Sequence, residues 1–300
     1  MADTAGAGRL PLTLVVLTHN EALNIRDCLK GMADWLTAVF VVDSGSTDHT
    51  VDIATSLGAA VYAHPFETHA RQWRWALETL PITTDWVLAL DADQQLLPEL
   101  REELDAMFRT GIEPHVSGLY LNRRQIFRGR WIRHGGYYPK YLLKIFRKGD
   151  VTIDEADLVD HHFVVSGETR KLRYDLVEDN RNEAAIAVWT DKHNRYAARQ
   201  ARQEMQERKE RDARRALRDP LNDDVSNQPK LFGNPDERVR WLKDVWSGLP
   251  LFVRPCLYVT YRYILRMGFL DGREGFIFHV LQAFWYRLLV DINLSELRKA

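Results

Sequence analysis

Two cysteines in 300 residues, Cys28 and Cys256, are too few and too far apart for a disulfide framework or a Cys-x-x-Cys metal site. They read as reduced thiols, which predicts a cytoplasmic chain. Charge of one sign is missing too. The 41 Lys and Arg are balanced by 42 Asp and Glu, a formal net charge of -1, so no global field draws nucleic acid and no such partner is expected. No uncharged apolar run reaches the roughly 18 residues of a membrane span. Met1 to Arg9 are small and polar, so no signal peptide is expected. Glycine is absent where many nucleotide-binding folds require it. An apolar run over residues 12–17 leads into Thr18-His19-Asn20-Glu21 instead of G-x-G-x-x-G, which argues against a nicotinamide-binding Rossmann protein. A P-loop is lacking as well, as is the glycine-rich basic loop that a sugar nucleotidyltransferase carries after its first strand. No internal repeat is visible.

What is present is a succession of short apolar runs and helix-length segments, the pattern of βαβ units around a mostly parallel sheet in an α/β fold. Strands are predicted at 12–17, 39–42, 60–63 and 86–90. Asn20 is placed to cap a helix from Glu21 to about Met32, and Ser46 to cap a second through Leu57. Further helices follow over residues 69–80 and from Pro98, a favoured first-turn residue. Open α/β sheets bind ligands outside the carboxyl ends of their strands, so Asn20, Asp43, Asp91 and Asp93 are expected to converge on one crevice. From Gly118 to Arg147 the pattern mixes strand and loop around Gly135-Gly136, and helices dominate after about Glu183. The dense charges of 200–218 read as a solvated helix face, and 219–236 as a loop with three prolines. A division follows into residues 1–182, nucleotide-binding and catalytic, and 183–300, a helical extension.

The chemistry-bearing residues sit at strand ends. Five apolar or aromatic residues, Trp86 to Leu90, drive a strand into Asp91-Ala92-Asp93, whose alternate carboxylates suit a hard cation, Mg²⁺ or Mn²⁺, shared with substrate phosphates. Phe40 to Asp48 reads as a strand, a tight turn at Gly45 and a helix start. There Asp43 is either an acceptor for a base or ribose hydroxyl or a turn former, and Asp48 is a helix-start residue. Arg71 and Arg74, beside Trp73 and Trp75, either meet phosphate or lie solvated on a helix whose tryptophan packs inward. Arg133 to Lys140 joins glycines to aromatic and basic groups, suited to stacking on a sugar or holding a diphosphate, or else is an irregular structural loop.

Thr18-His19-Asn20-Glu21, Val42-Asp43-Ser44-Gly45-Ser46-Thr47-Asp48 and Asp91-Ala92-Asp93, in that order, resemble the opening of family 2 glycosyltransferases, most nearly the branch of lipopolysaccharide-core glucosyltransferases. The resemblance implies a glycosyltransferase A-type fold with a C-terminal helical extension. It implies an inverting, metal-dependent hexosyl transfer from a nucleotide sugar, with a preference for UDP, to a glycan or lipid-linked acceptor in cell-envelope polysaccharide or lipopolysaccharide synthesis. Position by position, Thr18, Glu21 and Asp43 border the nucleotide, Asp91 the ribose or metal, and Asp93 the metal; Asn20, Ser44, Arg71 and Arg74 complete the donor side. Arg74 stands where the family usually has asparagine. Ile145-Phe146-Arg147 matches an L-F-R-like triplet of the branch, and Trp189 to Tyr196 recurs there, read as helix packing.

Inversion needs a base for the acceptor hydroxyl. Asp160 is the first choice, with Glu155, Asp157 and His161 as competitors, since relatives place an acid, often beside a histidine, in this region. The alternative from another class is a noncatalytic carbohydrate-binding or scaffold protein on the same fold, against which Asp91 and Asp93 stand. Residues 249–270 and 275–292 are rich in apolar and aromatic residues yet interrupted by Arg254, Arg262, Arg266 and Arg287. This predicts helices lying on the cytoplasmic face of the inner membrane. The competing readings are packing as core and a homo-oligomer contact.

Overall fold

The computed structural model describes residues 8–154, 162–216, 246 and 248–299. The chain divides into two compact units, one running to Trp189 and the other from Thr190.

In the first unit a nine-stranded sheet has the order β3-β2-β1-β4-β8-β6-β11-β5, with β7 off β6. Its first four members are β1 (Leu10–Thr18), β2 (Leu36–Asp43), β3 (Ala60–Ala63) and β4 (Trp86–Asp91), all mutually parallel. β1 is at their centre because its apolar residues serve both faces. Leu10, Leu12, Leu14 and Val16 enter one buried cluster and Val15 the other, as the two-residue period of a strand requires.

The remaining strands are β5 (Gln94–Leu96), β6 (Val116–Phe127), β7 (Arg130–Trp131), β8 (Tyr141–Arg147) and β11 (Glu168–Glu178). β9 (Val151–Asp154) and β10 (His162–Val165) form a separate antiparallel pair. β8 is antiparallel to both β4 and β6, β11 is parallel to β6, and β5 is antiparallel to β11. The expected mostly parallel sheet is thus present, with β8 and β5 running against the other strands of that path. No helix separates β6 from β8, and without a crossover helix consecutive strands turn back on each other.

Two helix starts differ from expectation. The helix after β1 runs Ile25–Leu29 with Asn24 at its N-cap, and the one after β2 runs Thr50–Ser56 with His49 there. Asn20 has a φ of 58°, a left-handed conformation outside any helix, and its side chain accepts a hydrogen bond from Thr47. Ser46 hydrogen-bonds Asp43 instead of capping. Both polar side chains are used between loops. The helices His69–Thr79, capped by the Thr68 side chain, and Pro98–Thr110 start as expected. Trp73 is the tryptophan that packs inward, fully buried against Phe163.

The second unit is helical, with a small core of Ala197, Ala201, Val290 and Leu294. Arg254 is buried in an ion pair with Asp291, and Glu204 bridges Arg254 at 3.3 Å and Arg287 at 3.1 Å. Ala201 and Glu204 thus turn inward, so the charged stretch from residue 200 is not a wholly solvated face. Burial without partners would be costly for each charge, and the four-residue network compensates it. Among the described residues, the helical stretch Gly268–Leu297 is long and apolar enough to cross a membrane by length and composition.

Candidate active site

Strand register brings the sequence motifs to one level. Thr18 pairs with Asp43 across β1 and β2, and Leu17 pairs with Asp91 across β1 and β4. The strand order changes direction between β1 and β4, the switch point at which such sheets open a ligand crevice.

The loops after β1 and β2 are tied together by side chains. Asp43, almost fully buried, accepts from the Thr18 hydroxyl at 3.1 Å, the Gly45 and Ser46 amides at 3.0 and 2.8 Å, and the Ser46 hydroxyl at 2.5 Å. The Ser46 oxygen in turn accepts the Asn20 amide at 2.9 Å, and the Asn20 side chain accepts the Thr47 amide at 2.8 Å. Thr50 accepts the Glu21 amide at 2.7 Å, and Asp48 accepts the Ala22 amide at 3.1 Å while holding Thr50. Asp48 is thus a loop tie at the helix start. Gly45, at φ 85°, permits the turn that puts these amides on Asp43.

Glu21 is held from a segment the sequence reading did not single out. Its carboxylate accepts from Asn24 at 2.7 Å and from Asn182 at 3.0 Å, and Asn182 also donates to the Asn20 carbonyl at 2.9 Å. Arg181 pairs with Asp27 at 2.5 Å, and its amide donates to Asn24. The same segment reaches the acidic triplet. The Asp179 amide donates to the Asp93 carbonyl at 3.0 Å, and Glu178 accepts from Gln94 at 2.8 Å and Arg123 at 2.9 Å, while Gln94 accepts the Asp91 amide. Residues 178–182 are a strap joining the Asp91–Asp93 turn to the loop after β1.

Asp91 is not a free ligand. Lys144 of β8, its side chain 6% exposed, donates to Asp91 Oδ2 at 2.8 Å, whereas the Asp91 side chain is 40% exposed. One oxygen is compensated and the carboxylate still reaches solvent. Beneath lies Cys28, fully buried, whose thiol donates to the Asp91 carbonyl at 3.7 Å. Burial, and then the charges of Asp93 and Asp91, push that thiol far above its ordinary range, a sign of negative potential at this point of the sheet.

A metal fits the donor set in a restricted way. Among the described residues no cluster of three or more His, Cys, Asp or Glu lies together. The chain offers two carboxylates, Asp91 and Asp93, on a turn. Mg²⁺ and Mn²⁺ take hard oxygen ligands, and Mg²⁺ in particular is bound by one or two carboxylates plus substrate phosphates and water. The open set suits that use and not a closed structural site.

The expected donor-side arginines lie elsewhere on the helix surface. Arg71 is exposed and paired with Glu67, and Arg74 is exposed. The residue of that helix that reaches the site is Gln72, fully buried, donating to Ser44 Oγ at 3.0 Å and to the His64 carbonyl at 3.1 Å. Asp160, Glu155, Asp157 and His161 lie outside the described residues. Lys144 was legible in principle, as one charge inside the apolar run Leu142-Leu143-Lys144-Ile145-Phe146, which demands a buried partner. Gln72 and Asn182 carried no such signal. A concavity lined by Arg9, Asp34, Thr37 and Gly58 opens at the amino ends of β1 and β2, the opposite edge, and holds none of these residues.

Residues 13–163 match the model of the family described as Glycosyl transferase family 2. An uncharacterized glycosyltransferase of Rickettsia bellii is 39% identical over 97 residues, 32% of this chain and 32% of its own length. One from Rickettsia felis is 38% identical over 110 residues, 37% of each. The matched stretch is thus about a third of these relatives. Glucosyl-3-phosphoglycerate synthase of Mycobacterium tuberculosis, in a complex with Mn²⁺, UDP and glucosyl-3-phosphoglycerate, is similar at a TM-score of 0.31 and 22% identity. The match covers 41% of this chain and 45% of that one. A likeness at that level bears on neither donor nor acceptor.

The buried thiol gives a chemical test of the site's packing and polarity. Cys28 is buried and Cys256 exposed. In native protein a thiol-exchange reagent should label one thiol per chain rapidly, at Cys256, and reach Cys28 only on unfolding; rapid labelling of both would contradict the packing. Because the folded thiol is raised above its unfolded value, the stability it contributes is present below the ordinary thiol range. That contribution should decline as the pH rises through it, relative to Cys28→Ala.

Proposed function

The chain belongs to glycosyl transferase family 2, and from that membership we propose that it is an inverting, metal-dependent hexosyltransferase. On this reading the donor is a UDP-sugar and the acceptor a glycan or lipid-linked glycan of cell-envelope polysaccharide or lipopolysaccharide. The observation that carries it is the shared level of Thr18, Asp43 and Asp91 across β2-β1-β4, with Asp93 on the adjoining turn.

The tied loops after β1 and β2 supply the donor's nucleotide cradle. Thr18, Asn20, Glu21, Asp43 and Ser44 border it, with Asp43 acting chiefly by fixing the loop, since four donors already occupy its oxygens. Asp93 is the metal anchor and Asp91, half-engaged by Lys144, assists it. When a divalent cation is held there with the diphosphate, the charge that builds on the leaving group is offset. The acceptor oxygen forms its bond to the anomeric carbon as the bond to the diphosphate breaks, and the hydroxyl proton passes to the base, Asp160 by first choice with Glu155, Asp157 and His161 as competitors. Direct attack from the opposite face inverts the centre.

The second unit is proposed to rest on the cytoplasmic face of the inner membrane. Leu257, Tyr261, Ile264, Leu265, Phe269 and Phe276 are between 47% and 70% exposed, and Arg266 and Arg273 are exposed among them. An apolar and aromatic surface interspersed with arginine suits an interface of anionic headgroups better than water. The buried Arg254–Asp291 pair, the buried Asp271 and the exposed arginines favour lying on the bilayer over crossing it.

Two measurements test this reading. Asp93→Ala should leave the unfolding midpoint near wild type while transfer falls by about a hundredfold or more, the scale of losing one electrostatic contact to a developing charge. Wild-type turnover by this variant in both saturating Mg²⁺ and saturating Mn²⁺ would remove the metal role. Full-length protein should sediment with anionic liposomes, less so for the Ile264→Glu, Leu265→Glu double variant. Protein that stays in the supernatant at both low and moderate salt would reject the membrane assignment.

A further inference from the structure

Between Glu113 and Asp150 the chain holds no acidic residue and nine Lys and Arg, in a protein whose charges balance only over its whole length. Three of the nine are accounted for inside the fold. Arg123 pairs with Glu178, Lys144 with Asp91, and Arg147 donates to the Val116 carbonyl while lying over the Trp86 ring. Arg124 and Arg133 are organised differently, around one tryptophan. Their guanidiniums lie 4.7 and 5.3 Å from the Trp131 ring centre, and Tyr138 meets that ring edge-on at 4.9 Å.

The platform is built, not incidental. Asp175, buried, accepts from Asn122 at 2.7 Å, from Arg124 Nε at 2.6 Å and from the Tyr138 hydroxyl at 3.1 Å. The one acid here is therefore saturated, and it takes only the Nε–H of Arg124, so the terminal amino groups of that fork hydrogen-bond no described residue. The buried indole N–H of Trp131 has no hydrogen-bond partner among the described residues. A buried donor left unmade is unfavourable, and a ligand oxygen would satisfy it.

Strand periodicity puts the platform on the catalytic face. Val87 and Ala89 belong to the buried cluster that includes Trp73, so Asp91 points to the same side. Tyr120 packs against that cluster too, so Asn122 and Arg124 share its face. β8 alone lies between β4 and β6, a lateral separation of roughly 10 Å at ordinary strand spacing.

Resting on the glycosyltransferase reading, we infer that Arg124, Trp131, Arg133 and Tyr138 form an acceptor subsite for an acidic sugar, one bearing a carboxylate or a phosphate. The guanidiniums take the anion, and the Trp131 N–H takes a ring or hydroxyl oxygen. The net positive platform leaves a neutral sugar without its main contact.

Binding to full-length protein saturated with UDP tests this without turnover, and UDP keeps the probes from the donor's phosphate site. The probes are glucuronate, glucose 6-phosphate and glucose, titrated calorimetrically or by NMR. At least one acidic sugar should bind about tenfold tighter than glucose, the scale of one charge-assisted hydrogen bond. Which one it is separates carboxylate from phosphate. Arg133→Gln, whose guanidinium pairs with no described acid, should abolish most of that preference with UDP affinity unchanged. Trp131→Phe, which keeps the ring but not the N–H, should weaken the acidic sugar at retained fold. Equal binding of all three sugars, or an undiminished acidic preference in Arg133→Gln, would overturn the subsite. Failure of UDP itself to bind would instead strike the donor reading, with the acidic preference measured separately.

Discussion

The Asp43 carboxylate is the knot on which the donor side depends. It closes β2 beside Thr18 at the end of β1, and its two oxygens gather four donors from Thr18 and the turn after β2. A buried carboxylate left unpaired would be costly, so the turn at Gly45 and Ser46 is held wherever Asp43 is held. The Asn20 amide on Ser46 and the Asn20 side chain on Thr47 carry that constraint from one loop to the next. A crevice whose wall is fixed in this way is organised before any ligand arrives, which lowers the ordering cost of binding.

A second constraint acts on the acidic turn. Two carboxylates one residue apart, above a buried thiol, concentrate negative charge, and Lys144 offsets part of it from the neighbouring antiparallel strand. Residues 178–182 then tie this turn to the loop after β1, through Glu178, Asp179 and Asn182. The site is consequently assembled from both halves of the sheet. The parallel half supplies the strand ends, and the mixed half supplies the lysine, the strap and the basic platform around Trp131.

Much of this was legible in residues. The four parallel strands and the carboxylates at their ends follow from apolar runs that stop at polar residues, and their register follows from the helices between them. The caps were misread because Asn20 and Ser46 have the side chains of helix caps yet face another loop, a choice made by long-range pairing that no local pattern records. The reversal of β8 was hidden for a similar reason, since that strand has the same apolar content whichever direction it runs. Arg71 and Arg74 had the chemistry of phosphate ligands, but the helix turns buried Gln72 and Trp73 toward the sheet and leaves those arginines outward.

The central claim is that the β2-β1-β4 strand ends hold a nucleotide sugar and activate its anomeric bond. Its most direct test is to incubate the full-length protein with a panel of nucleotide sugars in Mg²⁺ or Mn²⁺, with water standing in for the acceptor. Nucleoside diphosphate release and the initial anomeric configuration of the freed sugar are then followed by NMR. The account predicts slow, divalent-dependent release from a UDP-hexose with inversion at the anomeric carbon. Release with retention would contradict direct displacement. Neither release nor UDP binding across the panel would contradict the donor site itself and leave a noncatalytic carbohydrate-binding or scaffold role.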